Sequence, residues 1–287
     1  MRRNYKISRN QWAGKTDGAE WMQSILKGIL RFIPHEVIYG IMALIVPFYM
    51  VFNNNAYLSI YHYFRCRLGY GRVKSFVNVY RNHFVFGQVV LDRFAAFAGK
   101  RFRLTIDHIE LFEELASREN SFLMLSSHMG CFEMAGCMLT SKEKVFNALV
   151  YMNETETINK SRDRLMSTHN MRMIPLKEDM SHLFAINDAL DKGEIVSMSA
   201  DRINGSQKTV KCLFMGGDVF LPNGPFVLSQ IKKIPMLAVF VMKDGIRHYC
   251  VFISKIENAQ QFASHMEDVL REYPTQWFNF YDYWKVK

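Results

Sequence analysis

His128 and Glu133 stand five residues apart in SSHMGCFEMAG and form the pair in this chain best suited to moving a proton. Spacing alone carries little, because His108 and Glu113 repeat it inside HIELFEELASREN, where an amphipathic pattern reads as a solvated helix face. Context separates the two pairs. The apolar run SFLMLSS has the character of a buried strand and delivers His128 at its end, Ser126 and Ser127 can cap a following helix, and Gly130 permits a close approach of backbone or substrate. On one regular helix, five residues turn about 500°, which would point the two side chains apart. His128 must therefore precede the helix, with Glu133 one turn in. A carboxylate there accepts a proton from one imidazole nitrogen and raises the basicity of the other, which makes a general base that needs no protein nucleophile. A zinc site would want His-Glu-x-x-His or grouped cysteines, and only Cys131 is close, so neither metal nor cofactor is expected at this motif.

The elements needed to position such a base are legible along the chain. Residues 75–99 read as a helix stopped at Gly99, RFRLTI as a short strand, residues 108–120 as an amphipathic helix and SFLMLSS as a strand. FEMAGCML follows as helix, VFNALVY as strand, and INKSRDRLMSTHN and SHLFAINDALDKG as helices, the latter closed by Gly193. EIVSMSA reads as a strand ending at Asp201, VFVMKDGIRHYCVFI as a hairpin turning at Asp244-Gly245, and QFASHMEDVLREYP as a helix stopped by Pro274. Strands alternating with helices predict an α/β fold, a single domain with a mostly parallel central sheet flanked by helices. Ligands gather beyond the carboxyl ends of such strands, where His128, Tyr151-Met152 and Asp201-Arg202 all fall. Arg162 and Arg164 in NKSRDRL are candidates for a phosphate contact, and Gly224-Pro225 opens a helix whose amides can face an anion.

Ahead of this domain, Val37 to Phe52 form an uncharged run, VIYGIMALIVPFYMVF, interrupted by Pro47 and shorter than the ~20 residues of a spanning helix. Cations flank it on both sides, Lys27 and Arg31 before and Arg65, Arg67, Arg72 and Lys74 after, with Trp12, Trp21, Tyr57, Tyr61 and Tyr63 nearby. Positive charge on both flanks favours an in-plane or re-entrant anchor over a single crossing. The expected division is a basic segment and hydrophobic anchor over 1–52, then the catalytic domain over 53–287. Thirty-six Lys and Arg against 27 Asp and Glu give a net charge of +9, suited to an anionic membrane surface or an acidic partner. No zinc-finger or RNA-recognition signature is present and the basic residues are dispersed, so nucleic acid is not an expected partner. Five cysteines without a Cys-x-x-C fit a reducing compartment.

SSHMGCFEMAG resembles the His-x-x-x-x-Asp/Glu motif of the late acyltransferases of lipid A synthesis, within the wider lysophospholipid acyltransferase group. The likeness continues through SADR at 199–202, FMGGDVFLPNGPFVLSQIKKIP at 214–235 and PTQWFNFYDYWK at 274–285, in order, and covers roughly residues 20 to 285. It implies transfer of a fatty acyl chain from an acyl carrier protein or acyl-CoA thioester to a hydroxyl of a membrane lipid, at the cytoplasmic face of the bacterial inner membrane. His128 and Glu133 would be catalytic, and Asp201, Arg202, Arg162, Arg164 and Gly224 would contact substrate. The sequence departs from the family at Met152, where members usually carry an arginine. An aminolipid N-acyltransferase or lysophospholipid acyltransferase is the alternative within this chemistry, and a nonenzymatic membrane-surface binding protein the alternative outside it.

Overall fold

Strand β2 (Phe122–Ser126) is buried along its whole length, and its side chains divide alternately between two cores. Leu123 and Leu125 face one hydrophobic cluster; Phe122 and Met124 face the other. That alternation with no polar face is what a strand at the centre of a helix-covered sheet requires. The computed structural model describes residues 33–97, 100–132, 134, 139, 143–151, 170–176, 179–203 and 208–284.

Helices α1 (His35–Phe52), α2 (Asn54–His62) and α3 (Arg72–Phe97) come first, with a π-helical turn at Tyr63–Arg67 after α2. There follow β1 (Arg103–Asp107), α4 (Ile109–Ser117), β2, β3 (Phe146–Tyr151), β4 (Met171–Leu176), α5 (His182–Asp191) and β5 (Ile195–Ser199). The chain continues through β6 (Thr209–Phe214), β7 (Gly217–Pro222), α6 (Gly224–Lys232), β8 (Met236–Gly245), β9 (His248–Ile256) and α7 (Ala259–Glu272) to a 3-10 turn at Pro274–Gln276. Seven strands form one sheet in the order β1-β9-β8-β2-β5-β3-β4, and β6 and β7 form a separate antiparallel pair. Only β8 with β9 is antiparallel in the large sheet. The chain is thus an α/β domain with a mostly parallel sheet flanked by helices.

One reading from sequence changes. The β8–β9 hairpin turns at Ile246-Arg247, not at Asp244-Gly245: the strands run two residues further, with a register shift between Lys243 and Gly245 and Arg247 at φ 59°. β4 and the β6–β7 hairpin were not anticipated. β4 contains Pro175 and lies at the sheet's edge, the position in a sheet that tolerates proline. The helices expected in FEMAGCML and INKSRDRLMSTHN lie almost wholly outside the described residues.

Helix α1 turns one face to α3. Tyr39, Val46 and Met50 are buried there, and the helices meet so closely that a Cβ on Gly87 would stand 2.3 Å from the Met42 sulfur. The other face leaves Val37, Ile41, Leu44, Ile45, Phe48, Val51 and Phe52 about half to more than four-fifths exposed. Among the described residues no single helix is long and apolar enough to cross a membrane; α1 and the segment from Asn54 to Arg67 pass together as a pair bent by 96°.

Below α1 lies a closed polar cluster. Asp92 of α3 receives Lys243 Nζ at 2.6 Å and the Tyr249 hydroxyl at 2.6 Å on Oδ2, and the Tyr39 hydroxyl on Oδ1. Lys243 also donates to the Tyr39 oxygen at 3.1 Å. Each partner comes from a different element, so the cluster ties α1 and α3 to the central hairpin.

Candidate active site

Pairing of β2 with β5 brings the two strand ends together, Ser126 lying opposite Ser199. Both chains leave the sheet there, and His128 meets Asp201. The imidazole Nδ1 is 2.8 Å from Asp201 Oδ1, and the His128 backbone N–H donates to Oδ2 at 2.9 Å. One carboxylate therefore holds both the ring and the main chain of the same residue. Asp201 is 1% exposed and the His128 side chain 19%, so the acid is enclosed while the ring keeps an open edge. Burial alone would raise the Asp201 pKa; the charge of His128 and the hydrogen bonds from it outweigh that and hold the carboxyl below its usual range. An ionised Asp201 accepts the Nδ1 proton, which leaves Nε2 as the basic atom. Among the described residues no other hydrogen bond reaches this ring, and Phe132 packs beside it at 5.2 Å between ring centres.

The turn after His128 is fixed by its surroundings. Gly130 has φ +54°, and a Cβ there would stand 2.0 Å from the Val241 carbonyl oxygen. Only glycine meets both demands. Its N–H donates to the Gln276 carbonyl at 2.9 Å, the Cys131 N–H donates to Val241 at 2.7 Å, and the Phe278 N–H returns to the His128 carbonyl at 3.2 Å. The backbone donors of His128, Gly130 and Cys131 are thus all engaged within the protein.

The segment from Gln276 to Trp284 acts as a strap around this corner. Trp277 is 1% exposed and its ring meets Tyr63, Phe214, Tyr283 and Trp284. The Tyr283 hydroxyl donates to the Asp201 carbonyl at 2.6 Å, and Trp284 Nε1 to the Phe214 carbonyl at 3.2 Å. Gln276 clamps Lys243 through both backbone groups, accepting from its N–H at 2.8 Å and donating to its C=O at 2.7 Å. Arg202 Nη2 donates to the Phe278 carbonyl at 2.9 Å, its guanidinium lies 5.7 Å from the Tyr281 ring, and its buried Nε has no partner among the described residues. Burial, only partly offset by Arg202, raises the Tyr281 phenol to about 12.

The expected site residues therefore separate. His128, Asp201 and Arg202 converge. Gly224 opens α6 with Pro225 in its first turn, as expected, but no described contact joins it to the His128–Asp201 pair. Glu133, Arg162, Arg164 and Met152 lie outside the described residues. The imidazole nitrogen that Glu133 was expected to hold is, at Nδ1, held by Asp201. His108 caps α4 in a left-handed conformation and meets Glu110 at 3.0 Å in solvent, in keeping with a surface role. Sequence reasoning missed Gln276, Phe278 and Tyr283 as supports of the catalytic corner; the signal was the aromatic density of PTQWFNFYDYWK, whose contacts only the fold supplies.

The blocks around residues 128, 201, 214 and 277 are thus parts of one corner of the fold. No curated protein sequence matches the chain significantly. The family model described as bacterial lipid A biosynthesis acyltransferase matches residues 93–286, spanning the sheet, both partners of the His128–Asp201 pair and the strap. The chain belongs to the bacterial lipid A biosynthesis acyltransferase family, and its chemistry is acyl transfer.

Proposed function

We propose that the chain moves a fatty acyl group from an acyl thioester, carried by acyl carrier protein or coenzyme A, to a hydroxyl of a membrane lipid, with His128 as general base. The observation that carries this reading is the buried Asp201 on Nδ1 of a partly exposed ring, which leaves Nε2, without a partner among the described residues, as the proton acceptor. Nε2 takes the proton of the acceptor hydroxyl as its oxygen attacks the thioester carbonyl. The tetrahedral intermediate then breaks its C–S bond, and the departing sulfur takes the proton back from the imidazolium. Asp201 stays ionised and stabilises the imidazolium while it exists. Glu133 is retained as a second carboxylate on this histidine, contributing charge rather than the Nδ1 bond.

Negative charge develops on the thioester oxygen, and the backbone N–H groups of His128, Gly130 and Cys131 are already committed. A side-chain donor is therefore proposed to meet it. Arg202, next to Asp201 in the chain and with a buried Nε–H that has no partner among the described residues, is proposed for that charge, and Arg162, Arg164 and the amides at Gly224 are proposed for phosphate groups of donor or acceptor.

The exposed face of α1 supports attachment to the cytoplasmic face of the bacterial inner membrane, lying in the bilayer surface rather than crossing it. We retain 1–52 as the anchoring segment and 53–287 as the acyltransferase domain. Because α1 also supplies Tyr39, Val46 and Met50 to the interior, attachment is tested by substitution: F48S/V51S/F52S lowers binding to anionic vesicles by at least about tenfold, and unchanged binding overturns the anchor.

The function is tested by incubating purified protein with acyl thioester and bacterial lipid extract and following lipid masses. One acyl group gained in place of the acceptor's hydroxyl hydrogen, with release of the free thiol, absent with His128→Ala, is the expected result, and the product mass separates a lipid A precursor from an aminolipid or lysophospholipid acceptor. Acyl gain that persists with His128→Ala contradicts the mechanism, and none with the wild-type protein and either donor contradicts the function.

A further inference from the structure

At the opposite end of the β8–β9 hairpin from its first pairing, Asp244, His248 and Cys250 bring a carboxylate oxygen, an imidazole Nδ1 and a thiol sulfur within 4.8 Å of one another. We propose that these three residues form a binding site for a zinc-class divalent cation, separate from the catalytic pair. Strand geometry assembles it. His248 and Cys250 are two apart on β9 and share a face, and Asp244 is the extra residue of the register shift opposite them.

The atoms not offered to a metal are engaged elsewhere. Thr105 Oγ1 lies 3.0 Å from His248 Nε2, so with Nε2–H donated to the hydroxyl, Nδ1 is left to a cation on the side of Asp244. Asp244 Oδ2 is 3.3 Å from Nδ1, close to the separation of about 3.3 Å between nitrogen and oxygen ligands on a tetrahedral zinc. Its other oxygen, Oδ1, accepts from the Tyr273 hydroxyl at 3.2 Å. Holding a ligand by its far atom is how protein metal sites orient their ligands.

The donor set selects the ion. One nitrogen, one sulfur and one oxygen suit zinc and its neighbours, not magnesium or calcium, and water completes the fourth position. On binding, Cys250 loses its proton to solvent, and one thiolate with one carboxylate balances the divalent charge. The ion would fasten the hairpin end to β1 through Thr105 and to the end of α7 through Tyr273. That role is structural, and it does not depend on the acyl-transfer mechanism.

The test uses the purified full chain, stripped with chelator and titrated with Co(II) as a spectroscopic stand-in for zinc. A thiolate-to-cobalt charge-transfer band at one equivalent is expected, lost in Cys250→Ser and retained in Cys66→Ser and His128→Ala. Thr105→Val, which keeps all three ligands, weakens affinity by about 10- to 100-fold. Zinc at a hundredfold excess over its Kd raises the melting temperature by about 5–10 °C, and Cys250→Ser removes that rise. Absence of the band, or a band and zinc stoichiometry unchanged in Cys250→Ser, overturns the site.

Discussion

Two carboxylates buried in this protein each face a basic side chain, yet only one arrangement is suited to chemistry. Asp92 is closed on every side: Lys243 and Tyr249 share one oxygen, Tyr39 takes the other, and Lys243 itself is 5% exposed. Asp201 is as deeply buried, but its partner is a partly exposed imidazole with Nδ1 occupied and no partner at Nε2 among the described residues. A saturated pair can only hold elements together, and here it holds α1 and α3 to the hairpin. A pair whose second imidazole nitrogen has no partner among the described residues can accept a proton from outside. The difference lies in the partner and in what encloses it, not in the carboxylate.

Exchanging each carboxylate for its amide should pull the two apart. Asp201→Asn removes the negative charge that selects the Nδ1–H form of His128 and stabilises its cation, so turnover falls about 10²- to 10⁴-fold while the protein stays folded. Glu133→Gln measured beside it ranks the two carboxylates, and a smaller loss is expected for Glu133 because Asp201 already holds the ring. A loss with Glu133→Gln that exceeds the loss with Asp201→Asn would transfer the orienting role.

Asp92→Asn should do the reverse. It strands the Lys243 charge in the interior and costs about 3–5 kcal/mol of stability, read from the midpoint of urea unfolding. Turnover per folded molecule should stay within a few-fold of wild type. Replacing both partners, as Asp92→Leu with Lys243→Met, should recover much of that stability, because no charge is left unpaired. A double variant as unstable as Asp92→Asn would mean that the cluster contributes more than charge pairing.

These two sites were not equally legible in the sequence. His128 and Asp201 each follow an apolar strand and could be read as site residues from that alone. Their pairing could not, because 73 residues separate them and only the adjacency of β2 and β5 joins them. The carboxylate nearest along the chain, Glu133, reads as the orienting acid; at Nδ1 that bond comes from Asp201, and Glu133 lies outside the described residues. Asp92 and Lys243 gave no signal, since a single acid in an amphipathic helix and a single lysine near a turn read as solvated. The hairpin turn was misplaced because Asp-Gly is the strongest local turn signal, whereas here Asp244 is absorbed into a bulge and the strands continue.

A smaller effect concerns charge at the surface. If the net charge of +9 steers an acidic carrier protein, raising salt from low to physiological strength lowers kcat/KM several-fold with a carrier-protein donor. With an acyl-CoA donor and detergent-dispersed acceptor the slope should be flatter. Equal slopes would assign the charge to the membrane.

The smallest effect expected is at His83, which is buried, donates Nδ1–H to the Val79 carbonyl at 2.9 Å and has no partner at Nε2 among the described residues. Burial depresses its pKa despite that hydrogen bond. The unfolded chain then binds a proton that the folded chain refuses, so stability is full above the unfolded value of about 6.5 and declines as pH falls toward the lower folded value. His83→Gln should flatten that slope without altering turnover at neutral pH; an unchanged slope would place the titration elsewhere.

The central claim is that His128 Nε2 removes the acceptor proton as the acyl chain transfers. It is tested most directly by single-turnover transfer from a labelled acyl thioester to a purified lipid acceptor, comparing wild type with folded His128→Ala under matched donor occupancy. The account predicts a fall of about 10³-fold or more in the rate of acyl-lipid formation with donor binding within a few-fold of wild type. A His128→Ala rate within tenfold of wild type, at equal donor occupancy, would contradict it.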